Sequence, residues 1–563
     1  MKISPLLSAY ASGASTPRDV IAAILPHLDA DPAVWISRFS DAELLARAEA
    51  LGPVHSASLP LYGIPFAVKD NIDVAGLPTT AACPAFSYEP KEDAPVVRLL
   101  LEAGAICIGK TNLDQFATGL VGVRSPYGVP KNPFGADYIP GGSSAGSAVA
   151  VASDLVAFSL GTDTAGSGRI PAAFNNLLGW KPTRGLLSTR GVVPACRSLD
   201  CVSVFANSAA DLQTILRVVS VFDSGDSYAR NLPLLAGRTI QRIGIPKPDQ
   251  LEFFGDTAYA ALWKEAVQSL SSRGFSIVEI DFAPFLEAAR LLYEGPWVAE
   301  RYLATRELLN RAPEAFHPVT RAIIENGRLG SAADAFAAQY RLADLKRRSE
   351  FVWESVDILC TPTAGTIYKI SEVEADPIRL NSNLGYYTNF MNLLDLCGLA
   401  VPAGFREDGL PFGITYIARA FEDTSLLALA GAEPDRSDAM EIAVCGAHMS
   451  GLPLNHQLTD RKAEFIKASK TAPVYRMFAI DERRPGLVRR HEGGTALDLE
   501  VWRVPLAEAG SFLAGIPAPL GLGRVLLEDG TDVCGFLCES YAVADKPDIT
   551  SYGGWREWLK VRS

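Results

Sequence analysis

Hydroxyls set between glycines dominate two short stretches of this chain. In Gly141-Gly142-Ser143-Ser144-Ala145-Gly146-Ser147, residues 142–146 fit G-x-S-x-G, the strand-to-helix turn that presents a serine nucleophile. That arrangement asks for an acid and then a histidine farther along. The histidines are His27, His55, His317, His448, His456 and His491, and only His317 follows Ser144 within the same part of the chain. Its helical, proline-flanked AFHPV setting suits a surface or packing residue, so Ser144 lacks a convincing imidazole. The second stretch, Gly161-Thr162-Asp163-Thr164-Ala165-Gly166-Ser167-Gly168-Arg169, follows the apolar run VAFSL and should put Ser167 in a tight turn past a strand. Successive N–H groups at Thr164, Ala165, Gly166 and Ser167 would face one point there and make a nest for an oxyanion. A plain glycine-rich loop is the competing reading of that stretch taken alone.

Lysine can replace histidine as a base when burial lowers its pKa. In LYGIPFAVKDNIDV, Lys69 closes the apolar run IPFAV and should sit at a strand end against the core. A fall from about 10.4 to about 7–8 corresponds to roughly 4 kcal/mol, within reach of desolvation. The competing reading pairs Lys69 with Asp70 or Asp73 at the surface. A formal Walker A match, Gly104 to Thr111, has the apolar, partly β-branched interior AICI and reads as a strand, not as a phosphate loop.

These residues need elements to hold them. The first fifty residues carry helical spacing, with caps at Ser15-Thr16 and Asp41. From residue 61, IPFAVKD, AICIGKT, VAFSLGTD and SVDILCTPT read as strands ending in polar residues, with helices between them at 94–103 and 258–273. That alternation marks an α/β fold, in which active residues collect at strand ends. Residues 285–350 are mainly helical and should cover one side of the sheet. GAEPDRSDAME (431–441) reads as a linker between a domain at 1–430 and a smaller one at 442–563. The latter has its own strands in YRMFAID, LDLEVWRVP, RVLLEDG and VCGFLCESYAV.

Composition narrows the class. With 563 residues, 48% apolar and 21% charged, the chain should form two or three globular domains. A net charge of −12 argues against nucleic acid or an anionic membrane as the main partner. No apolar run reaches the ~20 residues of a spanning helix. The segment MKISPLLSAYASGAS reads as mature protein, not as a leader. Nine cysteines, an odd number without a C-x-x-C pair, suit buried thiols in a reduced cytoplasmic protein and offer no paired zinc ligands; no metal or cofactor is expected.

GIPFAVKDNIDVAGLPTTAAC, GAICIGKTNLDQFATG and PGGSSAGSAVAVASDLVAFSLGTDTAGSGRIPAAFNNLLGWKPTRG together resemble the amidase signature family over most of residues 1–430. The resemblance implies a mixed sheet covered by helices and a Ser-cisSer-Lys triad. Lys69 corresponds to the base, Ser143 to a bridging serine on a cis peptide, Ser167 to the nucleophile, and 164–167 to the oxyanion hole. The family often has GGSSGG and D-x-G-G-S; this chain has alanine at 145 and 165, which keeps the N–H donors.

LGYYTNFMNLLDLCGLAVPAGF (384–405) and nearly all of 442–563 resemble the allophanate hydrolase branch of that family. This implies allophanate (urea-1-carboxylate), a small anion, as substrate, ammonia and carbon dioxide as products in urea degradation, coupling to a urea carboxylase, and a homodimer. Tyr293 and Arg301, in YEGPWVAER, match the branch's substrate-binding pair, and arginine can grip a carboxylate with two parallel hydrogen bonds. Without the resemblance, Arg301 would read as a surface arginine paired with Glu294 or Glu300. The second domain resembles a small α+β γ-glutamylcyclotransferase-like fold that processes N-carboxycarbamate, with His448, His456 and Glu539 as candidate groups. The competing readings are structural roles for those three, a non-catalytic dimerisation or docking domain, and an amidase for another small, malonamide-like amide.

Overall fold

The computed structural model describes residues 1–52, 59–432, 439–490 and 492–562, so His55, His491 and most of the expected linker at 431–441 lie outside the described residues. The chain divides into two units, Met1–Ala432 and Glu433–Ser563.

The larger unit is built on an eleven-stranded mixed sheet. Its strands are β1 (Trp35–Arg38), β2 (Pro65–Lys69), β3 (Ile106–Thr111), β4 (Phe158–Asp163), β5 (Leu178–Lys181) and β6 (Cys201–Ala206), followed by β7 (Arg242–Pro246), β8 (Ser276–Ile280), β9 (Ile358–Pro362), β10 (Leu396–Phe405) and β11 (Pro411–Arg419). They lie in the order β1-β3-β2-β4-β6-β5-β10-β11-β9-β7-β8. β2 runs parallel to both β3 and β4, whereas β4 and β6 are antiparallel. Every residue of β2, β3 and β4 is buried, including the polar residues Lys69, Lys110, Thr111, Thr162 and Asp163 at their C-terminal ends. The expected strands IPFAVKD, AICIGKT, VAFSLGTD and SVDILCTPT are β2, β3, β4 and β9, and the Walker-like segment is the strand β3 itself.

The N-terminal fifty residues are not wholly helical. Helices Ile3–Ala11, Pro17–Ile24 and Asp41–Ala50 form, but Trp35–Arg38 pairs antiparallel with β3. Four residues carry too short a pattern to announce a strand; pairing with a partner decides it. The cap of the third helix is Ser40, in a reciprocal pair with Glu43, while Asp41 is the first helical residue. Thr16 caps the second through Asp19, as its position suggested. The region 285–350 folds into helices Ala283–Glu294, Val298–Arg311, Pro318–Asn326 and Ala332–Glu350.

Helix Ala145–Ala152 is made almost entirely of small residues, with all but the last buried, and it packs on β2, β3 and β4. Small side chains permit that close approach: a Cβ on Gly146 would stand 2.4 Å from the Val34 carbonyl oxygen and 2.7 Å from the Asn112 backbone nitrogen.

The smaller unit carries β12 (Ala439–Val444), β13 (Glu464–Lys470), β14 (Tyr475–Ala479), β15 (Pro485–Arg489), β16 (Asp498–Pro505), β17 (Leu520–Leu526) and β18 (Asp532–Cys538). Five of them form one sheet, β13-β16-β12-β18-β17, and β14 and β15 form a hairpin. β12 begins inside the expected linker, at residue 439. All nine cysteines are free, and no helix among the described residues is long and apolar enough to cross a membrane.

Gly146→Ala sets two effects against each other: alanine favours a helix interior by about 1 kcal/mol, but its Cβ meets backbone that cannot swing away. Overpacking of this kind costs about 1–3 kcal/mol, so denaturant unfolding of the variant should show a net loss of stability. A gain would mean that the neighbouring backbone yields.

Candidate active site

Parallel pairing of β2 with β4 aligns their C-terminal ends, and Val68 lies beside Leu160 in register. Lys69 therefore ends its strand next to the segment Gly161–Asp163. Its amine is wholly buried and donates to Ser143 Oγ at 2.7 Å, Ser144 Oγ at 2.9 Å and Thr162 Oγ1 at 2.8 Å. Burial takes its pKa down to about 7, against the upward pull of Asp114, Asp200 and Asp163. Neither Asp70 nor Asp73 is its partner. Asp70 lies 3.3 Å from Lys110, and Asp73 accepts the hydroxyls of Thr79 and Tyr88.

Ser143 follows a cis peptide bond after Gly142, and its carbonyl accepts the Asp114 N–H at 3.1 Å. Only glycine fits at 142, because a Cβ there would fall 2.1 Å from Asp114 Oδ2. The Asp114 carboxylate in turn accepts the N–H groups of Val121, Gly122 and Arg124. Ser144 accepts from Lys69 and donates to the Thr162 carbonyl at 3.2 Å, a supporting position; His317 sits at the start of a helix, its N–H bonded to Gln115.

Ser167 lies on the turn that leaves β4. That turn is organised by Asp163, which accepts the N–H of Gly166 at 2.8 Å and of Gly168 at 3.0 Å. It also receives two bonds from the Arg169 guanidinium, each 2.9 Å. Burial alone would raise the Asp163 pKa; the Arg169 charge and its hydrogen bonds outweigh it and hold the carboxyl below its ordinary range. The expected nest is thereby amended: the Gly166 N–H is committed to Asp163, leaving those of Thr164, Ala165 and Ser167 as candidate donors. Gly166 itself has φ of +138°, and a Cβ would meet Thr388 Oγ1 at 2.5 Å.

Arg301, on helix Val298–Arg311, is buried, and neutral acceptors hold it: Thr118 Oγ1 at 3.0 Å and the Ala117 carbonyl at 3.3 Å. Its guanidinium carbon is 5.8 Å from the centre of the Tyr293 ring. Glu300 instead accepts the N–H and hydroxyl of Ser198. Tyr293 packs on a small apolar cluster that includes Ala165 and Cys196, so the expected substrate pair borders the Ser167 loop. Sequence reasoning missed Thr162, Asp114, Asp200 and Thr118 as partners. Thr162 and Asp114 stand inside the motifs already singled out; the pairing of Arg301 with Thr118 spans 183 residues and leaves no local signal.

In the smaller unit, a cavity of about 180 Å³ is lined by His448, Gln457, Arg483, Arg484, Phe512 and Phe536 among others. The His448 ring stacks on Phe536, meets Phe512 edge-on, and has Nε2 3.1 Å from Gln457 Oε1. Burial lowers its pKa. The other two candidates do not line this cavity. His456 is exposed, with Nδ1 2.9 Å from the Pro453 carbonyl, and Glu539 is exposed beyond β18.

With this geometry in place, comparison with known proteins identifies the class: the chain belongs to the amidase family, whose model matches residues 19–427. Residues 440–560 match the allophanate hydrolase C-terminal domain. An allophanate hydrolase structure from Kluyveromyces lactis is 42% identical, with TM-score 0.72, over 99% of both chains. The urea amidolyase of Saccharomyces cerevisiae is 45% identical over 94% of this chain, which spans only 31% of that relative's length. A peptide amidase structure from Stenotrophomonas maltophilia is 26% identical, with TM-score 0.64, over 77% of this chain and 96% of its own.

Removing one member of a fully buried ion pair strands the other, at a cost of about 3–5 kcal/mol. Asp163 and Arg169 are both fully buried, so Arg169→Met should lower the unfolding free energy by about that amount in urea titration. A loss below ~1 kcal/mol would show that Asp163 finds another counter-charge.

Proposed function

We propose that this chain hydrolyses allophanate, with Ser167 as nucleophile, Ser143 as proton relay and Lys69 as base. The observation that carries this reading is the contact between the buried Lys69 amine and Ser143 Oγ, 2.7 Å, at an amine whose pKa lies near 7. A neutral Lys69 takes the Ser143 proton while Ser143 takes that of Ser167, which attacks the amide carbonyl. The N–H groups of Thr164, Ala165 and Ser167 receive the developing oxyanion. The relay then returns the proton to the departing ammonia, and water repeats the cycle on the acyl-enzyme to give N-carboxycarbamate.

The likeness to an allophanate hydrolase across 99% of both chains supports this substrate. So does the setting of Arg301, a buried cation held by uncharged acceptors, which leaves its charge for the substrate carboxylate, with Tyr293 beside it. For the smaller unit, His448 at its cavity is the candidate group for carrying N-carboxycarbamate on to ammonia and carbon dioxide. Functional coupling to a urea carboxylase, which would supply allophanate, fits the likeness to a much longer urea amidolyase.

Ser167→Ala should abolish ammonia release from allophanate while circular dichroism stays unchanged; turnover near that of the parent excludes Ser167 as nucleophile. Arg301→Lys should cut kcat/KM for allophanate about 10–100-fold, the worth of a lost charge-assisted pair, while sparing a neutral amide. Equal losses on both substrates would remove the carboxylate-binding role.

A further inference from the structure

Asp200 is a buried carboxylate that the proposed relay does not use. It precedes β6, whose first residue, Cys201, pairs with Asp163 of β4, so the antiparallel register sets Asp200 opposite Thr164. Its Oδ1 accepts the Thr164 hydroxyl and the Cys196 N–H at 3.1 Å; its Oδ2 accepts the N–H of Ala195 at 2.9 Å and again that of Cys196 at 3.1 Å. One carboxylate thus ties the first residue of the Ser167 loop to the 195–196 turn. Asn392 adds a second tie, donating to the carbonyls of Asp163 and Leu199 at 2.8 and 2.7 Å. Cys196 and Ala165 belong to the cluster on which Tyr293 packs.

We infer that Asp200 is a positioning residue: its carboxylate fixes the oxyanion-side loop through Thr164, and protonation releases that hold. This rests on the proposed serine mechanism. Three donors converge on the charged form, and a protonated carboxyl gives up an acceptor site and brings a donor of its own. Burial raises the Asp200 pKa to about 6, against the opposing pull of Thr164, the 195–196 N–H groups and Arg301. The groups that feel its charge are Lys69 from β2, Arg301 from helix Val298–Arg311, and the neighbouring thiols of Cys196 and Cys201, which burial keeps protonated. Asp114 and Asp163 act with Asp200 in lifting the Lys69 pKa.

The signs give a distinctive profile. Lys69 must be neutral, so reactivity falls as pH drops through about 7. Full rate needs Asp200 ionised, so a second loss begins below about 6. Two readouts on the full chain separate this inference from the choice of substrate: kcat/KM for allophanate, and the rate at which a sulfonyl fluoride captures Ser167. In the parent, the acid limb of the logarithmic plot should steepen beyond slope one below pH ~6 and return to slope one once the uncharged side chain's loss of about 10–100-fold is complete. Asp200→Asn should lower kcat and the capture rate by about 10–100-fold, less than the ~10²–10³-fold of an oxyanion donor lost outright, with KM little changed. Its limb should keep slope one, and the Lys69 bend should move to lower pH because a stabilising negative charge has gone. Thr164→Val should reproduce the rate loss and the single slope without moving the bend, and Thr164→Ser should restore the parent profile. An Asp200→Asn chain with parental rates, or a parent limb of slope one throughout, would overturn the inference; if that variant does not fold, the Thr164 pair decides alone. Absence of allophanate turnover with sulfonylation intact would overturn the substrate and leave the Asp200 result readable.

Discussion

A lysine amine shut away from water at the end of β2 sets the terms for the rest of the site. Bringing its pKa from 10.5 to about 7 corresponds to roughly 5 kcal/mol of disfavoured ammonium. Full burial produces that shift, and full burial would also leave the nitrogen unsatisfied without hydroxyls around it. Ser143, Ser144 and Thr162 supply them, each from a different place: a cis-bonded loop, a helix start and a neighbouring strand. The small-residue helix Ala145–Ala152 is what lets those places approach so closely. Packing and chemistry therefore share one requirement, the absence of bulk around residues 142–147.

The charges nearby are arranged so that none of them pairs with that amine. Asp163 is spent on Arg169 and two backbone N–H groups, Asp114 on three more, and Asp200 on Thr164 and the 195–196 turn. Each carboxylate acts on Lys69 only through space, moderating a shift that desolvation drives. Their bonds go to loop backbone instead. A set of buried anions thus serves as scaffolding for the turns, and its field raises the Lys69 pKa against desolvation.

Much of this was legible in the residues. The want of a histidine behind Ser144 directed attention to Lys69, and glycine spacing marked both serine loops. Apolar runs foretold β2, β3 and β4, the last leading directly into the Ser167 loop. What local pattern could not carry was partnership over distance. Arg301 reads as a surface helical residue until Ala117 and Thr118 are seen against it, and Trp35–Arg38 becomes a strand only because β3 lies alongside. The nest over 164–167 was over-read for a related reason: four successive N–H groups look equivalent in sequence, yet the preceding Asp163 side chain claims one of them.

The sheet order separates two groups of candidate residues. Lys69, Ser143 and Ser167 belong to the chain between β2 and β5, at one side of the sheet. Tyr293 and Arg301 lie on helices inserted between β8 and β9, strands that both run parallel to β7, so the insertion leaves and rejoins the framework on either flank of a single strand. An excursion anchored in this way can lengthen or shorten without changing the order of the strands on either side of it. Divergence among amidases of this architecture can then proceed by rewriting one helical insert while the strands that carry the serine loops keep their places.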